Sequence, residues 1–170
     1  MAEPEEFKNA PMSPFFVLVT GVTLAIPVIW AVMIFTVGQG IWKTSLAVIG
    51  GFAVTVAGIW LYLRPSSYTV DDERVIVRWP LRRLTLKRSE IGHAQSLDRA
   101  TLRRDFGWSA RVGVGGLFGT FGLLWTTKRG WMSAYATTTD NWVLLEREGG
   151  RPLLISPERP DDFLRALRAK

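Results

Sequence analysis

The chain reads as a two-helix transmembrane hairpin followed by a small mainly-β domain that ends in a helix. Three observations predict this. Two uncharged apolar stretches, Phe15 to Val37 and Thr44 to Leu63, fill the first third of the sequence. An alternation of period two runs through much of the remainder, and the last segment switches to helical spacing.

Each apolar stretch is about 20 residues, enough at about 1.5 Å per residue to cross a hydrocarbon core roughly 30 Å thick. Helices buried in a soluble core would show an amphipathic face, and a chain of 170 residues has little core in which to hide two of them. Glu3, Glu5 and Glu6 precede the first stretch against Lys8 alone, the wrong charge for a cleavable signal peptide, so this span is expected to stay attached. Residues 1–13 then form an N-terminal tail, 14–64 the hairpin and 65–170 the β domain.

Pro27 removes a backbone donor inside the first span and predicts a bend there. Gly38, Gln39 and Gly40 predict the hairpin turn, with Trp42 at an interface and Lys43 snorkelling outward from the tip. In the second span Ala47, Gly51, Thr55 and Gly58 repeat at a spacing that lets helix backbones approach, which predicts packing against the first span, with self-association as the alternative. Trp60 and Tyr62 suit an aromatic belt, and Arg64 with Pro65 ends the helix. Two crossings place both termini on one side. Lys8, Arg64 and Arg74 flank that side against Lys43 on the other, so the expected location is the cell (inner) membrane with the β domain in the cytoplasm.

From Arg64 onward the chain carries 19 Lys and Arg against 12 Asp and Glu, so the positive charge lies in the β domain. Beside a bilayer such a domain feels anionic headgroups, at about 1 kcal/mol for each basic residue near the surface. Strands are expected at Tyr68 to Val70, Arg74 to Trp79, Arg83 to Lys87 and Ile91 to Leu97, then at Ser133 to Thr138, Trp142 to Arg147 and Leu153 to Ile155. Pro160 at a first helical position, Asp161 and Asp162 at the positive end and Arg165, Arg168 and Lys170 at the negative end predict the closing helix, with Phe163, Leu164 and Leu167 facing inward.

About seven strands followed by one helix is the order of a pleckstrin-homology (PH) fold. The chain resembles the small bacterial membrane proteins that carry a PH-like domain after two membrane helices. The resemblance rests on Tyr68-Thr69-Val70-Asp71-Asp72, Glu90-Ile91, the Gly113 to Gly122 region, Tyr135-Ala136-Thr137, and Ile155-Ser156-Pro157 leading to Asp161-Asp162-Phe163. It implies about seven antiparallel strands in a curved barrel or sandwich capped by the terminal helix, and a binding or assembly module without a shared catalytic chemistry. The eukaryotic phosphoinositide-binding type carries Lys and Arg around its first strand pair, where this chain has Asp71, Asp72 and Glu73.

The uncharged run Val112 to Thr127 admits two readings. It is either two core strands joined by a glycine turn, or a membrane-touching loop in which Phe118, Phe121 and Trp125 enter the leaflet while Arg111, Lys128 and Arg129, with Trp131 beyond, hold phosphates. Its glycines match neither a phosphate loop nor a dinucleotide fingerprint. His93 is the only histidine and cysteine is absent, which leaves no metal set, thiol nucleophile or serine triad, and the spacing of Asp98, Asp105 and Asp140 demands no acid-base chemistry. No enzyme and no cofactor is expected. Arg83, Lys87 and Arg88 form a basic face, and with Arg82, Arg99, Arg103 and Arg104 they raise nucleic acid as a partner; the aromatic residues lie apart from them, which favours membrane lipid instead. The function expected is a non-catalytic, membrane-anchored PH-like module contacting lipid headgroups or a partner protein. The alternative is a structural subunit of a larger membrane complex docking through its transmembrane helices.

Overall fold

The computed structural model describes residues 4–37 and 42–169. Helix α1 is Pro14–Val37, and α2 is Trp42–Gly58, prolonged by a π-helical turn at Ile59–Leu63. Both are long and apolar enough to cross a membrane, and only 6% of one span and 0% of the other is buried, so neither is a core helix of this chain's own domain. α1 continues through Pro27. The expected turn at Gly38, Gln39 and Gly40 lies outside the described residues, as does the side chain of Trp42.

One strand precedes the helices, β1 (Glu5–Lys8). After them come β2 (Ser67–Val70), β3 (Arg74–Arg78), β4 (Arg83–Lys87), β5 (Ile91–Leu97), a single turn α3 (Arg99–Thr101) running into a π-turn at Leu102–Phe106, then β6 (Ser109–Gly115), β7 (Thr120–Thr126), β8 (Gly130–Ala136), β9 (Trp142–Arg147), β10 (Leu153–Ile155) and α4 (Pro160–Arg168). They build a four-stranded sheet, β1-β2-β3-β4, and a six-stranded sheet, β5-β9-β10-β8-β7-β6. The fold class is the expected one, with three differences of detail. β6 and β7 raise the strand count, β8 and β10 pair in parallel, and the N-terminal segment read as a tail adds β1 to the edge of β2.

The core follows from the alternation. On β3, Val75 and Val77 point inward while Arg74 and Arg78 face out. Opposite them Val143, Leu145, Leu153 and Ile155 face in from the second sheet, and Phe163, Leu164 and Leu167 of α4 close the end. A second core lies on the other face of the six-stranded sheet, where Leu124, Met132, Leu144 and Leu154 are covered by Leu97, Leu102, Phe106 and Trp142.

Arg88 holds α4 in place. Its guanidinium donates to the carbonyls of Ala166 at 3.1 Å and of Leu167 and Ala169, the groups that the last helical turn leaves without partners. Arg88→Ala should therefore lower stability by about 1.5–3 kcal/mol, the usual worth of hydrogen bonds to a charged group. Arg83→Ala, on an exposed position of the same segment, should stay within about 0.5 kcal/mol. Thermal melts of the two variants in detergent check the contrast.

Candidate functional site

β6 and β7 form a hairpin whose turn, Gly116 to Gly119, is closed by the Gly116 amide donating to the Gly119 carbonyl at 2.9 Å. This turn sits on α1. The buried Thr20 hydroxyl accepts from the Phe118 amide at 2.9 Å and donates to the Gly116 carbonyl at 3.4 Å. Gly116 is required by the closeness of the seat, since a Cβ there would lie 2.8 Å from Val19 Cγ1. Phe118 meets Trp60 edge to face with centroids 4.8 Å apart, and both border an apolar gap between α1 and α2 lined also by Pro27, Phe52 and Val56.

Further contacts tie the β domain to both helices. Just before α1, the Ser13 amide donates to the Thr137 carbonyl at 3.1 Å and the Ala10 amide to the Ser156 carbonyl at 2.9 Å. Asn9 Oδ1 accepts from the Tyr68 hydroxyl at 2.9 Å and the Ser156 hydroxyl at 3.3 Å, and burial pushes the Tyr68 phenol well above its ordinary pKa. At the end of α2, the Trp79 indole donates to the Leu63 carbonyl at 2.9 Å and the Arg64 guanidinium lies 4.1 Å over Trp60. These ties join the domain to both ends of the helix pair, the start of α1 and the end of α2.

Beside the hairpin opens a cleft of about 380 Å³ between the first turn of α1, the segment 99–107 and β6. Arg99, Arg103 and Arg111 line it together with Phe15 and Phe16. Asp98 caps α3, the turn that carries Arg99. Its carboxylate accepts from the Thr101 amide, and that hydrogen bond holds the carboxyl below its ordinary pKa. Burial without a countercharge draws the Arg111 guanidinium down from its usual value.

Two packed sheets closed by one terminal helix have the architecture of a PH domain, and the family model described as the bacterial PH domain matches residues 66–170. The chain belongs to that family. Neither a curated protein nor a solved structure matches it. PH domains are in general non-catalytic binding modules, and among the described residues no group of three or more His, Asp or Glu side chains is placed to hold a metal.

The PH domain separates residues that the sequence grouped together. Phe121 is fully buried, so its expected entry into a leaflet is corrected: it faces Tyr135 across the strand pair and belongs to the interior. Phe118 is at the hairpin tip, whereas Trp125, Lys128, Arg129 and Trp131 gather at the far end of β7, roughly 20 Å or more away at about 3.3 Å per residue. There Trp125 pairs across strands with Trp131 and stands edge to face with Trp108 at 6.4 Å. Lys128 donates to the Arg104 carbonyl at 2.8 Å, and Arg129 bonds Glu146 while lying 4.9 Å over Phe106, so both cations serve the protein's own contacts.

Three other groupings also change. Arg83 and Lys87 are exposed on β4, an edge strand, but Arg88 leaves the basic face to cap α4. On α2, Ala47, Gly51 and Thr55 are exposed and Gly58 half-exposed, with nothing within 4 Å of a Cβ built on either glycine. The residues that do face α1 are Ile49, Phe52, Ala53 and Val56, about half a helical turn round, so the small-residue stripe does not pack on the first span. Sequence reasoning also left Arg111 apart from Arg99 and Arg103. The pattern Asp98-x-x-Thr101, a cap at the head of a turn, was the available signal that the chain folds back there.

Proposed function

We propose that lipid surrounds α1 and α2 and that the PH domain is a membrane-anchored, non-catalytic binding module at the cytoplasmic face of the cell membrane, contacting lipid headgroups. The seat of the hairpin tip carries this reading. Thr20 lies six residues into α1, about 9 Å along the helix axis, so the tip reaches past the start of the apolar span. Non-helical backbone at such a depth needs protein partners for its polar groups, and the Thr20 hydroxyl supplies one to an amide and one to a carbonyl. Lys8, Arg64 and Arg74 near the shared side favour the cytoplasm.

The chain has no cysteine, so a nitroxide on Leu117→Cys reports the turn alone. In vesicles this label should be accessible to oxygen and shielded from a water-soluble relaxant, and one on Glu148→Cys, in the β9–β10 turn, should behave in the opposite way. Equal exposure of the two to the aqueous reagent would refute the membrane placement. Thr20→Val leaves the Phe118 amide buried and unpartnered, and should cost about 1–3 kcal/mol in a thermal melt and loosen the Leu117 label.

One observation favours a second reading, a structural subunit of a membrane complex: the stripe Ala47, Gly51, Thr55 and Gly58 points away from α1. Photo-crosslinking from position 51 in native membranes decides for it if one partner returns at constant stoichiometry.

A further inference from the structure

We propose that the cleft beside the hairpin binds a phosphate group, that of an anionic lipid headgroup, through Arg99, Arg103 and Arg111. The inference rests on the membrane placement above and assigns a ligand chemistry to one site in it.

The first support is charge. Three guanidinium-bearing side chains line one cleft of about 380 Å³, and none of the three has a carboxylate partner among the described residues. Several other arginines of the domain are engaged, whereas Arg83 and Lys87, without a salt bridge among the described residues, lie on an open strand and not in this cleft. Arg74 pairs with Asp71 and Glu73, Arg104 with Asp105, Arg129 with Glu146, and Arg159 and Arg165 with Asp162. Asp98 and Asp140 lie at the backbone beside Arg99, where they accept from main-chain amides, and neither pairs with a guanidinium of the three. Like charges gathered so repel, and an oxyanion removes the repulsion. Guanidinium forks match phosphate oxygens in pairs, which an ammonium does not.

The second support is position. Phe15 and Phe16, in the first turn of the apolar span, form one side of the cleft, so its mouth lies where a span meets the polar headgroup layer. Phe15 is 58% exposed, which gives an acyl chain an apolar surface beside the arginines. Room for the Arg111 guanidinium comes from Gly115, since a Cβ there would collide with it. The turn at the start of the domain, where Asp71 accepts from the amides of Glu73 and Arg74, is acidic and self-bonded and offers phosphate nothing comparable.

The test uses the full chain in an uncharged detergent, with phosphatidylglycerol, phosphatidylcholine or inorganic phosphate added, read by native mass spectrometry and by melting temperature. Phosphatidylglycerol should be retained at one per chain and raise the melting temperature. The double variant Arg103→Gln/Arg111→Gln should weaken this at least tenfold, and Arg83→Gln/Lys87→Gln should leave it unchanged. A shift by inorganic phosphate with the same arginine dependence supports the phosphate site and makes its source soluble; a shift by phosphatidylglycerol alone makes the source lipid. No shift from either, or equal shifts in the Arg103→Gln/Arg111→Gln protein, overturns the proposal. Carbonate washing of vesicles is run in parallel. A chain that stays with the vesicles but ignores phosphate loses only this proposal, and one that washes off loses the membrane reading itself.

Discussion

Gly122→Ala is expected to destabilise the protein by roughly 3 kcal/mol or more, the sum of backbone strain and a clash that no side chain can relieve. Gly122 has φ +126° and is paired directly with Gly113, φ +138°, across the β6–β7 ladder. A Cβ on Gly122 would lie 2.5 Å from the Val112 carbonyl oxygen and 3.0 Å from Gly113 Cα. Both obstacles are backbone, so the strands must part to admit a methyl group. Gly92→Ala is the control, because there a Cβ would meet only the flexible Glu148 side chain at 3.5 Å. Near-UV circular dichroism melts in detergent should show a large loss for the first and less than about 1 kcal/mol for the second. A Gly122→Ala protein that melts like the parent would mean that the two strands do not approach as closely as described. Because the hairpin tip is what touches Thr20, the same variant should also free the Leu117 label, joining a strand-pairing defect to the seat on α1.

The same glycines explain which parts of the fold were legible in the sequence. β3 and β4 alternate openly, and α4 carries Pro160 and its two aspartates at one end and arginines at the other, so local chemistry was enough to place them. In β6 and β7 the positions that would show alternation are occupied by Gly113, Gly115 and Gly122, which have no side chain to show on either face. The run therefore admits two readings, core hairpin and membrane loop, with the core hairpin the favoured one. It is a strand hairpin, with Phe121 in the core and Phe118 at its tip against Trp60 of the turn that prolongs α2. β1 was hidden for another reason. Its partner β2 begins at Ser67, beyond both helices, and no local pattern reports a pairing across that separation. The cleft needed three dimensions, since Arg111 reaches Arg99 and Arg103 only after the chain folds back through the π-turn at Leu102–Phe106.

Phe163→Ala should have an effect of similar size, about 3–5 kcal/mol, the range for emptying a fully buried phenylalanine site. Phe163 has 0% exposure and is the meeting point of three parts of the chain. Its ring stands edge to face with Phe7 of β1 at 5.4 Å and with Tyr68 of β2 at 6.1 Å, while its own backbone belongs to α4. The matched stretch 66–170 therefore excludes a side chain from its own core, along with the strand that covers the β2 edge. Expressed alone, that stretch should melt lower than the full chain by an amount comparable to Phe163→Ala and should self-associate through the uncovered edge. Phe163→Ala placed in that fragment should then cost clearly less than in the full chain, because Phe7 is already missing, a non-additivity that a double-mutant comparison reads directly. Equal costs in the two backgrounds would show that β1 is an accessory strand. Unequal ones make the first residues of the chain a structural part of the PH domain, so that α1 and α2 are inserted between its first strand and its second.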